Sequence, residues 1–212
     1  MRGVDYRQRM RGTFNRRTAT KVKDGRVQRK NRRALTPHQR LVIDRESPRA
    51  GRRHVVTKRD ILAFIDIIPD WERLSVRLER IVLSAEDSGW DGLYEFFDRE
   101  ETGAIFLNAW DENLWMSVPE KYFADHRMEF ERLGVSHDRK DGEVFCRFTE
   151  GQARAFVLLH VFMHELGHHF DRSNQKHRGV TRGEDYAERF ATNRFEALYP
   201  EYVRVFGDPA RG

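Results

Sequence analysis

One segment constrains this chain more than any other: TEGQARAFVLLHVFMHELGHHFDRS, residues 149–173. Phe156, Leu159, Met163 and Leu166 recur at helical spacing and make a continuous apolar stripe. Thr149 and Gln152 stand in the spacing of a capping box. The segment therefore reads as a helix from about Glu150 to Phe170. An apolar helix is buried, and polar side chains on a buried helix need a reason. His164, Glu165 and His168 are such side chains. Residues four apart lie one above the other, so His164 and His168 put two imidazoles on one side of the helix. Glu165 lies one step round, able to touch a water between them without ligating. This HExxH spacing suits a metal ion chelated by two imidazoles, with the glutamate as general base.

Two histidines leave a catalytic zinc site incomplete, because such sites use three protein ligands and one open position. A metzincin would carry Gly three residues and His six residues after His168. Asp171 and Asn174 occupy those places and no Met follows Met163, so that arrangement is excluded. His177 falls in a basic loop, and His169 points away from the His164/His168 side. A second helix begins after Gly183 in RGEDYAERFATNRFEALYP and is expected to stop at Pro200. Ala187, Phe190, Ala191, Phe195 and Leu198 share one face of it. Glu184 starts this helix on the side of Ala187 and Ala191. Packing that side against the first helix aims its carboxylate at the two imidazoles. Glu184 is thus the candidate third ligand, with Asp185 as its rival. Glu188, one turn on, is placed to accept the remaining N–H of a ligating histidine.

HELGHHFD followed by GEDYAERFA resembles the gluzincin branch of zinc metallopeptidases. It is most similar to the anthrax lethal factor-like peptidase domains, which combine HExGHxxD with a helix of the form E-aromatic-aromatic-A-E-x-F-A. His164, Glu165, Gly167, His168, Asp171, Glu184, Tyr186, Ala187, Glu188, Phe190 and Ala191 match. Asp185 departs, since an aromatic is commoner there. The resemblance covers about residues 150–198. It implies an α+β, zincin-like metallopeptidase fold, mostly helical with a small mixed sheet. It also implies one Zn2+ per chain and a protein or peptide substrate. Zinc on His164, His168 and Glu184 would lower the pKa of its water to about 7, and Glu165 would carry a proton to the leaving amine. In such domains a Tyr shortly before the ligand glutamate steadies the oxyanion. His177 stands at about that place here, and Tyr186 is the other candidate. An extended substrate would add to an exposed sheet edge, either EVFCRF at 143–148 or a hairpin within 104–118.

The other elements are read from local pattern. TKRDILAFIDII opens with a cap at Thr57 or Asp60 and has helical periodicity up to Pro69. DWERLSVRLERIVLSA puts Trp71, Leu74, Leu78, Ile81 and Val82 on one helical face. GWDGLYEFFDRE has no clear type. GAIFLNAW and NLWMSVP read as strands joined by a turn at 111–113. EKYFADHRMEFERLG reads as a helix ending at Gly134, SHDRKDG as a loop and EVFCRF as a strand.

Charge divides the chain. Residues 1–59 carry 20 Lys and Arg against 4 Asp and Glu, and the rest carries 19 against 30. Residues 1–56 are therefore expected to be a basic, disordered arm, linker-like from Thr36, ahead of a domain over 57–212. Such an arm suits nucleic acid or another polyanion. This supports an alternative: a nucleic-acid-binding protein with an inactive or structural zincin-like domain, or a regulatory protease acting on a DNA-bound target. Cys146 is a single cysteine, and no apolar stretch is long enough to span a bilayer. With no secretory signal, these point to the cytoplasm.

Overall fold

Seven residues, Leu78–Ser84, form the strand around which the body is assembled. Ile81, Val82, Leu83 and Ser84 are all buried. A strand covered on both faces has no polar alternation to display. The computed structural model describes residues 22–23, 26–27, 41–85, 92–174 and 182–211. Its strands are β1 (Val22–Lys23), β2 (Arg26–Val27), β3 (Val42–Arg45), β4 (Arg52–Arg53), β5 (Leu78–Ser84), β6 (Gly92–Phe97), β7 (Thr102–Asn108), β8 (Trp110–Asp111), β9 (Trp115–Pro119), β10 (Ser136–Lys140) and β11 (Glu143–Arg147). Its helices are α1 (Lys58–Ile65), α2 (Trp71–Leu74), α3 (Glu120–Asp125), α4 (Arg127–Leu133), α5 (Glu150–Phe156), α6 (Phe162–Asn174) and α7 (Glu184–Phe206). A π turn, Val157–Val161, joins α5 and α6 into one rod.

The chain divides into two units, Met1–Thr36 and Pro37–Gly212. Of the first, the antiparallel pair β1–β2 is described. The disorder expected there otherwise falls outside the described residues. The second unit is α+β. Its mixed sheet has the order β3-β5-β7-β6, with β3, β5 and β7 parallel and β6 antiparallel on the outside. A second, antiparallel sheet has the order β10-β11-β9, and β4 pairs with β8. Helix α6 packs across β6 and β7 and against α7. Among the described residues no helix is long and apolar enough to cross a membrane.

The expected capping box at Thr149 and Gln152 is present, and of the two candidate caps Thr57 is the N-cap, forming a second capping box with Asp60. Thr57 Oγ1 accepts from Asp60 N at 3.2 Å, and Asp60 Oδ2 accepts from Thr57 N at 2.7 Å. Thr149 and Gln152 do the same at 3.2 and 2.8 Å. The expected helix over 120–134 divides at His126 into α3 and α4 and closes on Gly134 at φ 70°.

Several expectations are corrected. The linker-like stretch contains β3, because Leu41 and Ile43 pack on the core and Asp44 pairs with the buried Arg80. The body therefore begins before Thr57. The helix expected through residues 71–85 stops after α2, where Arg77 takes φ 68°, and the chain continues as β5. Trp71, Leu74, Leu78, Ile81 and Val82 are all buried as expected. Their spacing suits a helix, but the β-branched pair Ile81–Val82 lies between two parallel partners and becomes strand. The hairpin within 104–118 does not form, since β7 and β9 lie in different sheets. Trp110 leaves the first sheet to pack its ring on Phe148 and Phe156 at centroid distances of 5.1 and 6.1 Å. SHDRKDG holds a strand, β10, turned back by Asp141 and Gly142 at φ 54° and 83°. Two consecutive left-handed residues are the signature of a tight hairpin turn. Finally, α7 runs through Pro200, whose missing hydrogen bond is offset by burial of Tyr199 and Tyr202 on either side.

The Asp44–Arg80 ion pair ties β3 to β5 with both side chains largely buried. Asp44→Ala removes that counter-charge from a buried guanidinium. It should lower unfolding stability by about 3–5 kcal/mol in denaturant titration. A loss within experimental error would show that β3 is not an integral strand.

Candidate metal centre

The centre depends on how closely two helices approach. A methyl group at Gly167 would stand 3.0 Å from Ala187 Cα and 3.1 Å from Phe190 Cβ. A side chain there would crowd both neighbours, so α6 and α7 approach closely at this point. Ala187 and, one turn on, Ala191 are fully buried. Later residues of α6 meet earlier ones of α7, so the helices run antiparallel. Asp171 extends the contact beyond the crossing. Its Oδ2 accepts from Arg182 N and its Oδ1 from Arg182 Nε, both at 2.6 Å. That anchors the chain two residues before Glu184.

The crossing brings three ligand atoms together. His164 Nε2 lies 3.1 Å from His168 Nε2 and 3.2 Å from Glu184 Oε2. His168 Nε2 lies 3.4 Å from the same oxygen. Tetrahedral bonds of about 2.0–2.1 Å to zinc would space their donors by roughly 3.3 Å. The residues therefore fit a zinc ion. The donor chemistry agrees. His164 Nδ1 faces Glu188 Oε2 at 3.2 Å, and that carboxylate accepts the Nδ1 proton. In the neutral ring Nε2 then carries a lone pair, pointed at two further acceptor atoms. Among the described residues, His164, His168 and Glu184 form one of two groups able to hold a metal ion, and Asp185 belongs to neither.

Burial pulls His164 towards neutrality, but the carboxylates of Glu188, Glu165 and Glu184 outweigh it and raise its pKa. Burial and the neighbouring His164 hold His168 below its usual value. Burial also opposes the charge on Glu188, yet hydrogen bonds from His126 and His164 keep its carboxyl well below the usual range.

Glu165 is buried beside this group on the wall formed by β6. A methyl at Gly92 would stand 2.7 Å from Glu165 Cγ and 2.9 Å from its Oε1. The absent side chain at Gly92 is what makes room for the Glu165 carboxylate. The cleft in front has a volume of about 700 Å³, with Leu93, Tyr94 and Phe96 of β6 on one side and Tyr122 and His126 among its other lining residues.

The other expected residues are placed as follows. His169 is fully buried, bonded through Nε2 to Val76 O at 2.9 Å and through Nδ1 to Tyr94 Oη at 3.3 Å. It fastens α6 to the sheet and does not face the cleft. Tyr186 is held between the Arg182 guanidinium, 3.6 Å from its ring centroid, and Phe190, and does not line the cleft. His177 lies outside the described residues. Of the candidate edges, β11 is the middle strand of its sheet and β7 is interior to the mixed sheet, while β9, largely within 104–118, is an outer strand whose residues do not line the cleft. The edge at the cleft is β6. His126 and His160 were missed. His160 precedes His164 by one helical turn, a spacing that could have found it. His126 has no local signal, standing 38 residues before His164.

Gly167→Leu should force α6 and α7 apart. Overpacking of this kind costs about 1–3 kcal/mol, and zinc retention on gel filtration should be lost. A variant that keeps zinc like the wild type would show that helix spacing does not control the site.

No family model, curated protein or solved structure matches the chain, so the reading of the site rests on its own geometry.

Proposed function

We propose that this protein is a zinc-dependent peptidase of the gluzincin type, built on a zincin-like fold. His164, His168 and Glu184 are its metal ligands and Glu165 its general base. The observation that carries this reading is the convergence of the three ligand atoms at 3.1–3.4 Å beside a buried glutamate. A bound zinc ion supplies polarisation of the substrate carbonyl and a water acidified to a pKa of about 7. Glu165 takes the proton of the attacking water and returns it to the leaving amine as the C–N bond breaks. Gly92 keeps that carboxylate against the strand.

Substrate position follows from β6. This strand pairs with β7 on one side, and its other side forms a border of the sheet. An extended peptide laid along that border exchanges main-chain hydrogen bonds with it, which fixes the scissile bond along the cleft. The groups named here lie between residues 92 and 188, so this chemistry does not require the basic arm.

Glu165→Gln should retain one zinc per chain while peptide cleavage falls by about 10²–10⁴-fold. Unchanged cleavage sinks the mechanism. Gly92→Ala should behave similarly, with zinc kept and turnover reduced, because the new methyl displaces the base. Metal analysis of Glu184→Ala beside wild type tests the third ligand: equal zinc content rules Glu184 out.

A further inference from the structure

Glu188 does not serve His164 alone. Its other oxygen, Oε1, lies 3.2 Å from His126 Nε2. His126 Nδ1 lies 2.8 Å from the Tyr122 carbonyl oxygen. A carbonyl oxygen can only accept, so Nδ1 carries a proton. An ionised carboxylate also only accepts, so the contact is attractive when Nε2 carries a proton too. The ring is fixed independently of these bonds. It stacks on Tyr122 at a centroid distance of 3.9 Å and meets His160 edge-on at 4.6 Å. His126 itself is buried, at the break between α3 and α4.

We infer that His126 is a positioning residue of the metal centre: protonated on both ring nitrogens, it clamps Glu188 so that the carboxylate presents His164 with Nε2 open to the metal. The inference rests on His164 being a metal ligand, as proposed above. The clamp fixes the carboxylate plane from both ends, which sets the direction of the His164 ring. Thr192 Oγ1 stands 3.4 Å from Glu188 Oε1 and 3.2 Å from Glu129 Oε1, so one hydroxyl braces the same cluster. Carboxylates and their partners behind a ligating histidine typically change metal affinity by about 10- to 100-fold when removed.

The test uses the full chain as wild type, His126→Phe and His126→Gln. Phe keeps the ring stack and loses both N–H groups, and Gln keeps a donor for Glu188. Zinc affinity is measured by competition with a chromophoric chelator, and histidine protonation by long-range proton–nitrogen NMR of the metal-free chain. The expected result is one zinc equivalent in the wild type, binding weakened about 10- to 100-fold in His126→Phe and partly restored in His126→Gln. NMR should show both His126 nitrogens protonated. If His126→Phe does not fold, His126→Gln against wild type and the NMR carry the comparison. Wild-type affinity in a folded His126→Phe, or an unprotonated His126 Nε2, overturns the clamp and leaves the metal centre standing. Two zinc equivalents falling to one also overturn it, since His126 and Glu188 would then be ligands of a second metal. A wild type that binds no zinc defeats the proposed function, and the clamp falls with it.

Discussion

The close approach at Gly167 is the contact on which the rest of the centre depends. Helix α6 supplies two imidazoles and α7 supplies two carboxylates, and neither helix holds a site alone. Ligand atoms must converge to within about an ångström of a fixed spacing, whereas helices with larger contact residues pack 8–10 Å apart. A glycine against Ala187 and Ala191 removes the side chains that would set a wider spacing. The glutamates at 184 and 188 then reach successive turns of α6. Asp171 closes the arrangement by gripping Arg182 at the start of α7.

Polar groups gather where the apolar packing is densest, and their arrangement makes that tolerable. His169 joins Val76 to Tyr94 and pins α6 to the sheet. Burial pushes its pKa down to about 4, so it stays a neutral strut near neutral pH. His160 is driven down to about 3 by burial and by the neighbouring His126 and His164, against the Glu188 carboxylate. Its Nδ1 lacks a hydrogen-bond partner among the described residues. It sits in the π turn, the one irregular turn in the rod that carries the HExxH residues, and such turns are frequent at functional sites. Glu188 lies between two imidazoles rather than one, so α6 is tied to the junction of α3 and α4 as well as to α7.

The sheet gives this polar cluster a floor and a border. The inner parallel strands β5 and β7 are buried along nearly their whole length. The antiparallel β6 at the border is different: Gly92, Tyr94 and Phe96 face the cleft side, and Leu93 is exposed. One glycine on this strand accommodates the Glu165 carboxylate, and Gly103 on β7 accommodates His169. Small residues at both places let α6 lie close to the sheet.

Sequence by itself determined the elements whose signals are local. The capping box at Thr149 and Gln152, the helix bearing His164 and His168, and the face shared by Ala187 and Ala191 follow from spacing along the chain. Glu184 and Glu188 could be named because two adjacent helices with small facing residues have few ways to pack. Tertiary structure decided what depends on distant partners. LERIVLS satisfies a helical pattern as well as a buried strand, and its parallel neighbours chose strand. GLYEFF had no clear type, yet it is the border of the cleft, because only pairing with β7 orders it. His126 carries no motif and reaches Glu188 across a separation that no periodicity spans. Local geometry is written in residue spacing, while long-range contact is chosen by which buried surfaces close together, and a single chain does not display that choice.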